Sequence, residues 1–137
     1  MHDPLLLDRL AIRELHEAYC DAVLRRDAAA WSRCWAPDAK WTLLGLVVEG
    51  RDAIVELWNR AMQGYEAVSF IAVPSTIVVD GDRASGCTQT HEVLREVGGR
   101  CRVVGGAYDD IFVRQSGKWL YIARDFRIVA EYPGETS

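Results

Sequence analysis

Two regimes of hydrophobic spacing divide this chain. In the first, Leu6, Leu7, Leu10, Ile12, Leu15, Ala18, Tyr19, Ala22 and Val23 recur as one face of a helix, with Arg9, Arg13, Glu14 and Glu17 on the other side. Asp3 and Pro4 read as N-cap and first helical position, so this helix is predicted to run to about Arg25. Asp27 caps a second helix over Ala28–Cys34, which Pro37-Asp38 closes. Two short strands, Lys40–Leu44 and Leu46–Val48, come next. After the turn Glu49-Gly50-Arg51-Asp52, a third helix is expected over Ala53–Met62, capped by Asp52 and ended by Gly64.

In the second regime the pattern changes to long strands. They are expected at Ala67–Val79, Arg83–Val97, Arg100–Arg114 and Lys118–Tyr132. The turns between them are Asp80-Gly81-Asp82, Gly98-Gly99 and Gln115-Ser116-Gly117. Pro74 cannot donate to a ladder, so it marks an edge or a bulge. The tail Pro133–Ser137 is expected to be loose. Helices followed by an antiparallel meander make an α+β domain spanning residues 1–137. Strands this long must curl. A curled sheet with helices across its concave face leaves an apolar pocket, the default place for a site.

Composition narrows the function. The chain has 137 residues, half of them apolar and about a quarter charged, with a net charge of −4. That balance argues against nucleic acid or an anionic membrane as partner. Cys20, Cys34, Cys87 and Cys101 form no C-x-x-C pair, and they read as reduced thiols. There is no basic leader and no apolar run near the ~20 residues that span a bilayer. A cytoplasmic protein is expected. No nucleotide or metal motif is present, so no cofactor and no metal are expected.

The segments A-Y-C-D, R-R-D-A-A-A-W-S-R-C-W-A-P-D-A-K-W and V-E-G-R-D-A-I-V-E-L-W, with A-Y-D-D-I-F-V-R and G-K-W-L-Y-I-A-R near the end, carry a resemblance. Together they resemble the SnoaL-like branch of the nuclear transport factor two superfamily. The resemblance implies a cone-like, curved, mixed or antiparallel sheet wrapped around N-terminal helices. It also implies an internal apolar pocket, a small hydrophobic ligand, and assembly as a homodimer or homotrimer. The superfamily includes dehydratases, isomerases, a dehydrochlorinase and non-catalytic binding modules. Its helix-one tyrosine falls on Tyr19, its catalytic aspartate on Asp27, and the acid of its second long strand on Glu92. A protonated acid falls on Asp109, and its C-terminal arginines fall on Arg124 and Arg127. Two family histidines fall near Ala72 or Val73 and near Ser69, so they are not reproduced. The isomerase base position holds Leu43.

The residues themselves carry further readings. Tyr19 lies on the apolar stripe, where a phenol can donate to a developing oxyanion. Asp27 serves as pocket base, as helix cap, or as both. His16 is one turn from Tyr19, which makes it a second candidate for the pocket. His91 and Glu92 are strand neighbours, so only one faces inward. His91 is favoured by its chemistry as a general base, and Glu92 by the resemblance. Tyr108, Asp109 and Asp110 pose the same parity question. Asp110 is expected in a salt bridge with Arg124 or Arg127, and Asp109 as a pocket acid. Trp31, Trp35, Trp41 and Trp58 are expected around one shared cavity or core, with one or two touching the ligand.

The expected activity is therefore a cofactor-independent lyase or isomerase, dehydratase-like, that abstracts a proton from a small cyclic hydrophobic substrate. Tyr19, His91, Glu92, Asp27, Arg124 and Arg127 are the catalytic candidates. His16, Trp35, Trp41, Trp58, Tyr108 and Asp109 are the candidates for holding substrate. The alternative is a non-catalytic ligand-binding or dimerisation module. A ring-hydroxylating dioxygenase small subunit shares the fold, but such chains are usually longer.

Overall fold

The computed structural model describes residues 3–133. Helix α1 covers Leu6–Arg25, α2 Ala28–Ser32 and α3 Arg51–Gln63. The strands are β1 Trp35–Leu43, β2 Leu46–Glu49, β3 Tyr65–Asp80, β4 Arg83–Glu96, β5 Cys101–Gln115 and β6 Lys118–Tyr132. They form one six-stranded sheet in the order β2-β1-β6-β5-β4-β3. All neighbours are antiparallel except β1 and β6, which run parallel. The sheet is thus mixed, and the N-terminal helices pack on its concave face in an α+β arrangement. No helix among the described residues is long and apolar enough to cross a membrane.

Several expected boundaries shift for identifiable reasons. Helix α1 begins at Leu6 rather than Pro4, because Asp3 folds into a preceding turn and accepts from the Leu5 N–H. Leu6, Leu7 and Leu10 were expected on the buried stripe but are exposed. The helix turns Asp8 inward instead, where its carboxylate accepts from Arg114 (2.8 Å) and from the Trp119 indole (3.2 Å). Helix α2 stops at Ser32, short of Cys34. The Cys34 carbonyl accepts from the Tyr121 N–H at 2.9 Å, which draws the chain into β1 five residues early. Pro37-Asp38 therefore lies inside β1, in a register break between Trp35 and Lys40. Gly50, not Asp52, occupies the N-cap of α3, with φ +89° that favours glycine. Pro74 does sit on edge strand β3, at a register break before Ile77.

The four tryptophans meet as expected. Trp31 stacks on Trp58 at 4.7 Å between ring centroids, and lies 5.4 Å from both Trp35 and Trp41. This block joins α2, β1 and α3 beneath α1. The tail beyond Pro133 lies outside the described residues.

Candidate functional site

Strand parity decides which side chains enter the hollow under the helices. On β4, β5 and β6 the inward row reads Thr88, Thr90, Glu92, then Val104, Gly106, Tyr108, then Phe126 and Ile128. The paired register confirms it: Glu92 lies opposite Val104, and Tyr108 opposite Phe126. Of this row, Glu92, Val104, Tyr108, Phe126 and Ile128 join Tyr19 of α1, Trp41 of β1 and Trp58 and Met62 of α3 around a cavity of about 280 Å³. Its walls are mostly apolar or aromatic, the composition of small-molecule sites.

Glu92 stands out in it. Burial pushes its carboxyl from the usual range up to about 7, with the Arg102 guanidinium opposing the rise. At neutral pH it is therefore divided between acid and base, the condition for a general base. Arg102 lines the same cavity but is tied at its rim to Glu131 (2.9 Å) and, more loosely, to Glu96 (3.9 Å).

Three tyrosines line the space, Tyr19, Tyr65 and Tyr108, and the first and last of them are buried. The Trp41 indole N–H donates to the Tyr108 oxygen at 3.1 Å, leaving the Tyr108 proton free for another acceptor. Burial raises Tyr108 to about 12, although Arg124 and the Trp41 hydrogen bond both oppose the rise. Burial also carries Tyr19 well above its ordinary value, with Tyr108 adding to the effect. Both remain protonated donors throughout the physiological range.

Behind this wall lies a second, fully buried layer. Arg124 donates to Asp110 at 2.6 and 3.1 Å, and Thr88 donates to the same carboxylate at 2.7 Å. The guanidinium lies over the rings of Tyr108 (3.8 Å), Tyr121 (4.3 Å) and Tyr19 (4.7 Å). His16 Nδ1 shares a 2.7 Å hydrogen bond with the Tyr121 hydroxyl. Burial, reinforced by Arg124, lowers His16 to about 4, so it is neutral at pH 7. It borders a separate hollow of about 370 Å³ between α1 and β3, and Phe70 forms the wall between the two.

The structure therefore sorts the expected site residues into three places. Tyr19, Glu92, Trp41, Trp58 and Tyr108 line the cavity. Trp35, His16 and Arg124 are buried outside its lining, contrary to the expectation that they reach substrate. Trp35 is held among Trp31, Trp41 and Tyr121, and Arg124 by Asp110. The remaining four face away. His91 is exposed on the convex side, because parity gives the inward place to Glu92. Asp27 is exposed and accepts from the Ala30 N–H at 3.0 Å, acting as the cap of α2. Asp109 and Arg127 pair on the outer face at 3.2 Å, both largely exposed. Arg102, Phe70 and Phe126 line the cavity without having been expected there. Counting by twos from Tyr108 or from Arg124 reaches Arg102 and Phe126 once either anchor is known to face inward. Among the described residues no three His, Cys, Asp or Glu side chains gather as a metal site.

Comparison with known proteins agrees with this architecture. The model of the SnoaL-like domain matches residues 4–125. No curated protein matches the sequence. Among solved structures, a type 2 hexachlorocyclohexane dehydrochlorinase superposes with a TM-score of 0.85 at 20% identity, over 96% of this chain and 92% of that one. A scytalone dehydratase-like protein from Novosphingobium aromaticivorans gives 0.85 at 18% identity, over 100% and 94%. A protein of unknown function from Mycobacterium tuberculosis gives 0.81 at 25% identity, over 89% and 76%. At these identities the likeness establishes the fold.

Proposed function

The chain belongs to the SnoaL-like domain family, and from that premise we propose that it is a cofactor-independent lyase or isomerase acting on a small, neutral, cyclic apolar substrate. One observation carries the reading: a lone carboxylate, Glu92, stands in an aromatic cavity with its pKa raised to about 7. Among the described residues Glu92 forms no salt bridge, and Arg102 is engaged by Glu131.

In this reading Glu92 takes the proton from a carbon next to a substrate carbonyl. Tyr108 donates its free hydroxyl proton to the oxygen on which charge develops, and Tyr19 supplies a second phenol. The protonated Glu92 then returns the proton to another carbon for isomerisation, or to a departing hydroxyl for dehydration. Names borne by similar structures, a dehydrochlorinase and a scytalone dehydratase-like protein, support a reaction of the lyase or isomerase type.

Solvent exchange tests this without knowledge of the physiological substrate. A cyclic ketone such as 2-tetralone in D₂O should exchange its α-protons faster with the protein than without it, and the Glu92→Gln variant should lose the acceleration. Ketones that bind without any exchange would select the alternative of a ligand-binding module. Two features favour that second reading: the ion pair with Asp110 keeps Arg124 out of the cavity lining, and Ala72 stands near a family histidine position.

Self-association as a homodimer or homotrimer belongs to the same proposal. The outer sheet face supports it by exposing Ile71, Val73, Val93 and Val103. Light scattering on the purified protein measures it directly, and a monomer at micromolar concentration would refute it. The cytosol is the proposed compartment, supported by four free cysteines.

A further inference from the structure

Gly106 lies on the inner face of β5 at a kink, where the pairing with β6 shifts register between Gly105 and Gly106. Its backbone does not explain the glycine, for unlike the turn glycines it is not in the left-handed region. Its neighbours do. A Cβ at this position would meet Phe126 Cζ at 2.5 Å, with Phe126 Cε1 no farther, and Thr90 Oγ1 at 2.9 Å. The Phe126 ring thus lies directly on the space that a side chain would occupy. It forms part of the cavity wall, and the Tyr108 ring flanks it at 5.0 Å.

We propose that Gly106 is a specificity-determining residue: by letting Phe126 lie flat against the sheet, it gives the cavity the depth to accept a fused two-ring neutral molecule. This deepens the preceding reading and rests on it, since it takes the same cavity as the ligand site. The size class follows from volume. An apolar cavity of about 150 Å³ holds benzene, and this one measures about 280 Å³. The direction follows from geometry. Ordinary contact begins near 3.4 Å, so an alanine at this position forces the ring back by about 1 Å. The sheet backbone lies on one side and Tyr108 blocks another, so the ring moves into the cavity.

The test compares phenol with 2-naphthol, by intrinsic fluorescence titration of wild type, Gly106→Ala, and Gly106→Ala combined with Phe126→Leu. A crystal structure of the single variant locates the ring. In Gly106→Ala, phenol should bind within about twofold of wild type, while 2-naphthol weakens about tenfold or more, and Phe126→Leu should restore it. An unmoved Phe126, equal losses for both ligands, or no rescue would overturn the role of Gly106 while leaving the cavity as the ligand site. Wild type that bound neither probe would refute the cavity reading, and this proposal with it. Neither outcome depends on turnover.

Discussion

Arg124 and Asp110 form a doubly hydrogen-bonded ion pair, at 2.6 and 3.1 Å, with neither side chain exposed to solvent. Burial works against the Arg124 charge, but Asp110 and the surrounding phenols more than offset it and hold its pKa well above the ordinary value. Removing one member of such a pair strands the other in the interior. Asp110→Ala is therefore expected to cost about 3–5 kcal/mol in a denaturant melt at pH 7. Asp109→Ala, one residue along on the exposed face, should change stability by about 0.5 kcal/mol or less. Equal effects of the two would contradict the placement of Asp110.

Glu92 should make the protein less stable as pH rises. Its folded pKa of about 7 lies above the ordinary 4.5, so the folded state holds the proton more tightly than the unfolded chain. The contribution is full below pH 4.5 and is lost as pH climbs through 7. Glu92→Gln, which cannot ionise, is expected to be more stable than wild type at pH 8 by about 2–3 kcal/mol, and to show no such advantage at pH 4.5. If Glu92 is also the base, α-proton exchange in the wild type should rise with pH to a plateau above about 7. A variant that gains stability but keeps full exchange activity would leave Glu92 strained but not catalytic.

His16 predicts the opposite limb. Its pKa is lowered from 6.5 to about 4 by burial, with Arg124 reinforcing the effect, so it contributes stability that is present above 6.5 and lost as pH falls through 4. Three charged neighbours modify the effect of burial: Arg124 and Arg13 disfavour the imidazolium, and Asp110 favours it. Wild type should lose about 3 kcal/mol more than His16→Phe between pH 6.5 and 3.5. At pH 7 the variant should cost about 1–3 kcal/mol, because it leaves the buried Tyr121 hydroxyl without its partner. Parallel acid limbs in the two proteins would refute the assignment.

Much of this arrangement was legible in the residues, and its gaps have physical causes. The helix periodicity, the turn glycines and the tryptophan block were enough for the α+β order and for the aromatic interior. Parity could not be read, because His91-Glu92 and Tyr108-Asp109-Asp110 place ionisable groups on both faces of their strands. Register is fixed by pairing across the sheet, and the sequence of one strand does not contain it. The same limit hid the parallel pairing of β1 with β6, which turned Trp35 and Pro37 from the end of a helix into strand. Asp27 carried two expectations, pocket base and helix cap, and only the local one was met: a cap needs only its own helix.

Trp41 is a positioning residue if the proposed chemistry holds, since its indole N–H occupies the Tyr108 oxygen at 3.1 Å and directs the phenol proton elsewhere. Trp41→Phe keeps an aromatic ring in the wall but removes the N–H donor together with part of the indole's volume. The exchange rate at saturating ketone should fall about tenfold, with KM changed less than about twofold, because the lost stabilisation belongs to the developing oxyanion. Tyr108→Phe should lose at least as much. The decisive comparison is the double variant. If Trp41 acts only through Tyr108, then Trp41→Phe costs nothing further once the Tyr108 hydroxyl is gone, so the two losses are not additive. Additive losses would mean that Trp41 acts through packing against Trp31 and Trp35, and the oriented phenol would drop out of the mechanism.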